Sequence, residues 1–139
     1  RRINDQMPKF VCEKIMKHLI IDDFNFSTLR VLLLGCTFKE DCPDIRNSKV
    51  FDLYNQLVAL GIETDIYDPI AIKSDVKKEY GVDIENCMPK SKYDLLVFAV
   101  RHEEFLDLSK QDFEKVTNDK HLIFDLKYCV RDDIKSIRL

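Results

Sequence analysis

Four cations recur where apolar runs end. Lys39 and Arg46 lie in the loop 36–46, just after the run 29–34. Arg101 follows the run 95–100, and Lys127 follows Asp125 and Leu126. In an open α/β sheet, ligands sit beyond the carboxyl ends of the strands, so these four side chains would share one rim. Positive charge there, beside a helix opening near Asn47, suits an anion such as a phosphate. The guanidinium of Arg46 has the planar fork for bidentate contact with a pyrophosphate. The competing reading is equally open: Lys39 and Arg46 as solvated loop charges paired with Glu40, Asp41 and Asp44. Asp44 itself reads as a partner of Arg46 or as a helix cap.

Other candidates carry two readings each. Asp68 closes a strand, where an acidic residue can hold a ribose hydroxyl; before Pro69 it is also an ordinary turn aspartate. His102 either lines the crevice or starts a helix. Cys36 and Cys42 flank Lys39, a setting that can activate a thiol. No base and orienting group stand near them in the sequence, so nucleophilic catalysis by either is disfavoured. A lone Gly35 follows the first strand, and the G-x-G-x-x-G dinucleotide fingerprint is absent.

The elements that must position these groups follow from periodicity. Ile3, Met7, Phe10, Val11, Ile15 and Leu19 recur at helical spacing. Residues 29–34 form a buried strand. A helix covers about 47–60, with Val50, Leu53, Tyr54, Leu57 and Val58 inward and Gly61 at its end. Ile62, Thr64 and Ile66 alternate in a second strand, stopped by Asp68-Pro69. A helix over 72–80 ends at Gly81. Residues 82–89 read as a short strand or turn. The run 93–100 is a strand buried on both faces. Helical segments cover 103–106 and 109–117, the last strand is 121–126, and 131–137 is short helix or irregular. This order predicts an α/β, Rossmann-like, mainly parallel sheet with helices on both faces, preceded by an N-terminal helix.

Composition bounds the rest. The chain has 139 residues, 45% of them apolar, 34% charged, with net charge −3. One domain with a real core fits. An acidic balance disfavours general nucleic-acid binding. No apolar run is long enough to span a membrane. Five scattered cysteines without a CxxC pair suit a reducing, cytoplasmic setting and give no metal-ligand spacing. The chain opens at Arg1 inside a helical pattern, which reads as a piece of a longer protein.

The string GCTFKEDCPDIRNSKV (35–50), followed by LGIETDIYDP (60–69), resembles the nucleotide-sugar 6-dehydrogenases, the UDP-glucose/GDP-mannose dehydrogenase family. The likeness continues through RRINDQMPKFV, DLLVFAVRHEEF and HLIFDLKYCVRDD, so it covers nearly the whole chain. Its specific part is the placement of Phe38, Lys39, Asp44, Arg46 and Ser48. The resemblance implies that 1–22 is the end of a central linking and dimerisation helix, and that 23–139 is the C-terminal UDP-binding domain. It implies a parent enzyme that oxidises the sugar C6 hydroxymethyl to a carboxylate, passing hydrides to two NAD molecules through a cysteine nucleophile in a glycine-rich motif. No such motif occurs here, so this chain is expected to hold no catalytic residue and to be inactive alone. By the same resemblance, Phe38, Lys39 and Lys127 contact the UDP-sugar, and Arg46 reaches NAD bound by an N-terminal domain. Lys127 stands in DLKYCVR, without the glycine often found there in the family. The variants CPD, RNS and RRIND look closest to members acting on UDP-N-acetylhexosamines for bacterial surface polysaccharide, with UDP-N-acetylgalactosamine or a close relative as lead. Two other classes compete: a non-catalytic nucleotide-sensing module on this fold, and a flavodoxin-like redox protein, which lacks support without CxxC or a phosphate loop.

Overall fold

Apolar residues at consecutive positions need cover on both faces, and the sheet supplies it. The computed structural model describes residues 2–139, with side chains from Met7 onward. Four strands, β1 (Arg30–Leu34), β2 (Glu63–Tyr67), β3 (Tyr93–Phe98) and β4 (Thr117–Asp125), pair in parallel in the order β2-β1-β3-β4. Side-chain alternation divides the two central strands between two cores. Val31, Leu33, Leu95 and Val97 face one. Leu32, Leu34, Leu96 and Phe98 face the other.

The first face is covered by α1 (Arg2–Ile21), α2 (Val50–Ala59) and Val76 of α3 (Lys73–Tyr80). Val11, Ile15 and Leu19 of α1 and Phe51, Leu53 and Leu57 of α2 are buried there. The second face is covered by Phe105 of a 3-10 turn (Glu103–Phe105), Phe113 of α4 (Lys110–Glu114), and Cys129 and Val130. The parallel sheet, the helical cover on both faces and the leading helix match the sequence expectation. Ile3 belongs to the expected α1 stripe but lies outside the described side chains.

Details differ for local reasons. Helix α2 opens at Val50, three residues later than expected, because Asn47 takes φ 60° and cannot belong to a helical turn. Val58 is expected inward and faces outward (46% exposed), and Phe10 of the α1 stripe is exposed as well (49%). Phe51 takes an inward place instead, stacked 3.8 Å from the Tyr80 ring. The helix expected over 109–117 is shorter. A capping box between Ser109 and Asp112 starts α4, and Thr117 already pairs with Tyr93. The β3–β4 ladder then shifts between Tyr93 and Leu95. Single parallel bridges extend the sheet at both edges, Tyr67 to Glu85 and Phe124 to Ile137. Strand β3 ends at Phe98 rather than residue 100, since the chain turns where Gly35 meets it.

Gly35 explains that turn. Its φ is 97°, and a Cβ there would sit 2.6 Å from the Val100 Cβ. The loops after β1 and β3 therefore touch at a point that leaves no room for a side chain at Gly35. Gly35→Ala should cost about 2–4 kcal/mol through positive φ and overlap together. Urea unfolding at neutral pH measures this; a change below about 0.5 kcal/mol would refute the contact.

Candidate functional site

The chain leaves β1 towards β2 on one side and returns to β3 on the other. Loops at such a reversal diverge and leave a crevice. A cavity of about 720 Å3 lies there, and its lining includes Phe38, Lys39, Ser48, Arg101 and Lys127. Three of the four expected cations therefore share one cavity. Phe38 is 59% exposed, so a ring face is available to a ligand. Ser48 Oγ is buried without a hydrogen-bond partner and borders the same cavity, two residues before α2. Glu40 also reaches the lining, and places one carboxylate among the cations.

Arg46 is the exception. It does not line the cavity; its guanidinium is 78% exposed. Nε and Nη2 donate to the two carboxylate oxygens of Asp44, each at 3.0 Å. Hydrogen bonds from the Arg46 side chain and backbone hold the Asp44 carboxyl down at about 2. Asp44 thus orients Arg46, one of its two expected roles, while Lys39 faces the cavity.

Asp68 is fully buried. Its Oδ1 accepts the amides of Ile70 and Ala71, both at 2.8 Å. Its Oδ2 accepts the Cys36 amide at 2.7 Å and the His102 imidazole at 2.9 Å. Every acceptor site is used inside the protein, so the turn reading holds and a ribose contact is excluded. Burial alone would raise the Asp68 carboxyl, but His102 and the three amides outweigh it and hold it below the usual range. His102 starts the 3-10 turn, as one reading had it, and does not line the cavity.

Further bonds fix the loop after β1. Phe38 N–H donates to the Asp44 carbonyl at 2.7 Å, and Tyr80 Oη donates to the Ile45 carbonyl at 2.6 Å. The loop carrying Lys127 has a similar anchor. Asp125, fully buried at the end of β4, accepts the amides of Cys129 (2.8 Å) and Val130 (2.9 Å) and Arg138 Nε (3.2 Å). Arg138 Nη2 also donates to the Val130 carbonyl at 2.7 Å.

Two of the thiols are poor nucleophiles. Cys36 is fully buried, and burial together with Asp68 pushes its thiol far up. Burial pushes Cys129 up to about 12. Neither carries a useful thiolate fraction at neutral pH. Among the described residues, no group of three His, Cys, Asp or Glu side chains is placed to hold a metal ion.

Residues 32–132 match the model of the UDP-glucose/GDP-mannose dehydrogenase family, UDP binding domain. The chain belongs to this family. It is 37% identical, over its whole length, to UDP-N-acetyl-D-glucosamine 6-dehydrogenase from Salmonella typhi, and covers 33% of that protein. It is 30% identical over 96% of its length to UDP-N-acetyl-D-mannosamine dehydrogenase from Methanococcus aeolicus, covering 30% of it. The solved UDP-N-acetyl-mannosamine dehydrogenase Cap5O from Staphylococcus aureus superposes with a TM-score of 0.78 at 30% identity, over 99% of this chain and 32% of that one. The chain thus spans about a third of the length of these relatives. The UDP-binding domain of the family is what the cavity and its cations belong to.

The Asp68 geometry sets a stability test. Asp68→Asn replaces a four-way acceptor with a group that must turn donor hydrogens on donors, and should cost about 2–4 kcal/mol. Because the folded carboxyl titrates below its unfolded value, its contribution is whole above about pH 4 and is lost as pH falls through the lower folded value. Urea midpoints measured between pH 2 and pH 6 should rise with pH in the wild type and lose part of that rise in Asp68→Asn. Identical slopes would remove Asp68 from the account.

Proposed function

We propose that this domain binds the UDP part of a UDP-N-acetylhexosamine and forms one side of the active cleft of an NAD-dependent 6-dehydrogenase. The shared cavity of Phe38, Lys39, Arg101 and Lys127 at the sheet's reversal carries the reading. The Phe38 ring offers an apolar face to the base or ribose. Lys39 and Lys127 supply charge for the diphosphate, and the unpartnered Ser48 hydroxyl adds a donor beside the α2 N-terminus. The relatives named above act, by name, on gluco- and manno-configured N-acetyl sugars. That supports a UDP-N-acetylhexosamine of this kind ahead of the galacto epimer expected first.

The residues after β1 do not fit NAD as a dinucleotide cradle. Where the fingerprint brings backbone against a pyrophosphate, Gly35 is filled by Val100. NAD therefore belongs to another domain of the longer enzyme, as does the cysteine nucleophile of C6 oxidation. Arg46, exposed outside the cavity, is the residue we assign to reach that NAD across the cleft. Residues 1–22 we assign to the linking helix, with 23–139 as the binding domain. Exposed Phe10, Ile20 and Ile21 on α1 and Leu60 just after α2 support packing there against the N-terminal domain or a second copy in a homodimer. Among the described residues no helix is long and apolar enough to cross a membrane. We assign the protein a cytoplasmic place, supplying uronic acids for surface polysaccharide.

Titrating the chain with UDP, GDP and NAD while following amide NMR shifts tests the reading. UDP should move Phe38, Lys39 and Lys127, and NAD should move none of them. Lys39→Ala should weaken UDP binding by about 1–3 kcal/mol; unchanged affinity removes Lys39 from the site. In the full-length enzyme, Arg46→Ala should raise the KM for NAD and leave that for UDP-sugar near wild type. The reverse pattern would sink the Arg46 assignment.

A further inference from the structure

Phe38 and Lys39 sit on a loop whose placement converges on one buried imidazole. His102 has no exposure. Its Nδ1 accepts the Asp41 amide at 3.0 Å, which assigns the ring proton to Nε2. Nε2 then donates to Asp68 Oδ2 at 2.9 Å. Thr37 Oγ1 lies 3.2 Å from Nε2 and donates to the Lys39 carbonyl at 2.9 Å. The Asp41 carboxylate accepts the Glu103 amide at 2.9 Å, so the loop is tied to the segment that carries His102 as well. The Phe105 ring packs 5.5 Å from the imidazole and fixes its plane.

These bonds fall on either side of the two ligand-facing residues, at 37 and 41. A space-filling core histidine has no need of such asymmetry. Here one nitrogen must accept and the other must donate, each towards a different strand-end segment. We propose that His102 is a positioning residue of the nucleotide site: as the neutral Nε2–H tautomer, it latches the Phe38-Lys39 loop onto Asp68 and so sets Lys39 for the diphosphate. The inference rests on the cavity being the UDP site. Removing the imidazole frees the Asp41 amide and leaves Asp68 without its side-chain donor, and the loop loses its central tie. Glutamine can restore the pattern, since its oxygen accepts and its nitrogen donates from one planar group.

Four forms of the chain decide it: wild type, His102→Ala, His102→Gln and Thr37→Val. The readouts are UDP affinity, amide hydrogen exchange across 37–41 without ligand, and imidazole 15N shifts. The expected result is a wild-type ring protonated at Nε2 and bare at Nδ1. His102→Ala should weaken UDP binding about tenfold or more and speed exchange at Asp41, while His102→Gln should recover most of both. Thr37→Val leaves the Asp68–His102 bond intact, so it tests the Lys39 tether even if His102→Ala fails to fold. It should weaken UDP binding about threefold to tenfold. Wild-type affinity in His102→Ala overturns the latch; so does a ring protonated at Nδ1, which is read on the wild type and decides even if His102→Ala does not fold. If wild type binds no UDP, the site reading fails, and exchange at 37–41 alone then decides whether the latch exists.

Discussion

The site depends on one carboxylate. Asp68 is buried at the end of β2, where an isolated charge would be prohibitively expensive. It is tolerated because four donors converge on it, and those donors come from three separate stretches of chain: Cys36 after β1, Ile70 and Ala71 after β2, and His102 after β3. Loops at strand ends are normally the loosest parts of an α/β domain. Here the cost of leaving the charge unpaired ties three of them together. The cavity forms beside that knot, and two of its lining residues, Thr37 and Arg101, are immediate chain neighbours of the tied ones.

The knot and the close contact at Gly35 are complementary. Gly35 lets the backbone after β1 pass against Val100, which brings the loops of β1 and β3 within reach of each other. The Asp68 bonds then fix how far each loop turns outwards. Lys39 comes from the first loop and Arg101 from the second, so the spacing of positive charge in the cavity follows from these two contacts. Lys127 is placed separately, by Asp125 at the end of β4. The same device, a buried aspartate collecting amides from its own following loop, thus appears at both strands flanking the central pair. The parallel sheet makes this economical, because all its strand ends lie on one edge.

Much of this was legible in the residues. Consecutive apolar runs at 29–34 and 95–100 required a two-faced sheet, and Gly61 and Gly81 marked helix ends correctly. The motif around Phe38 and Lys39 located the cavity. Arg46 was harder, because a sequence shows that an arginine and an aspartate are two residues apart but not which way the pair faces. The helix start was missed for a similar reason: Asn47 tolerates the left-handed region, and nothing in the residue order shows that it adopts it. Phe10 and Val58 sit at helical spacing yet face outwards, since periodicity identifies a stripe and not what covers it. The His102 network was hidden most completely, as its partners lie more than 30 positions away in the chain. A buried aspartate before a proline was the one local hint.

Ile137 and Arg138 carry a practical consequence. Ile137 clips onto β4, and Arg138 clamps the turn that bears Lys127, with its guanidinium 4.8 Å from the Tyr128 ring. Residues 137 and 138 thus act as a staple for one wall of the cavity while contributing little to the central sheet. Replacing Arg138 would therefore loosen that wall of the cavity long before it disturbed folding, and a preparation intact by circular dichroism would not reveal the change.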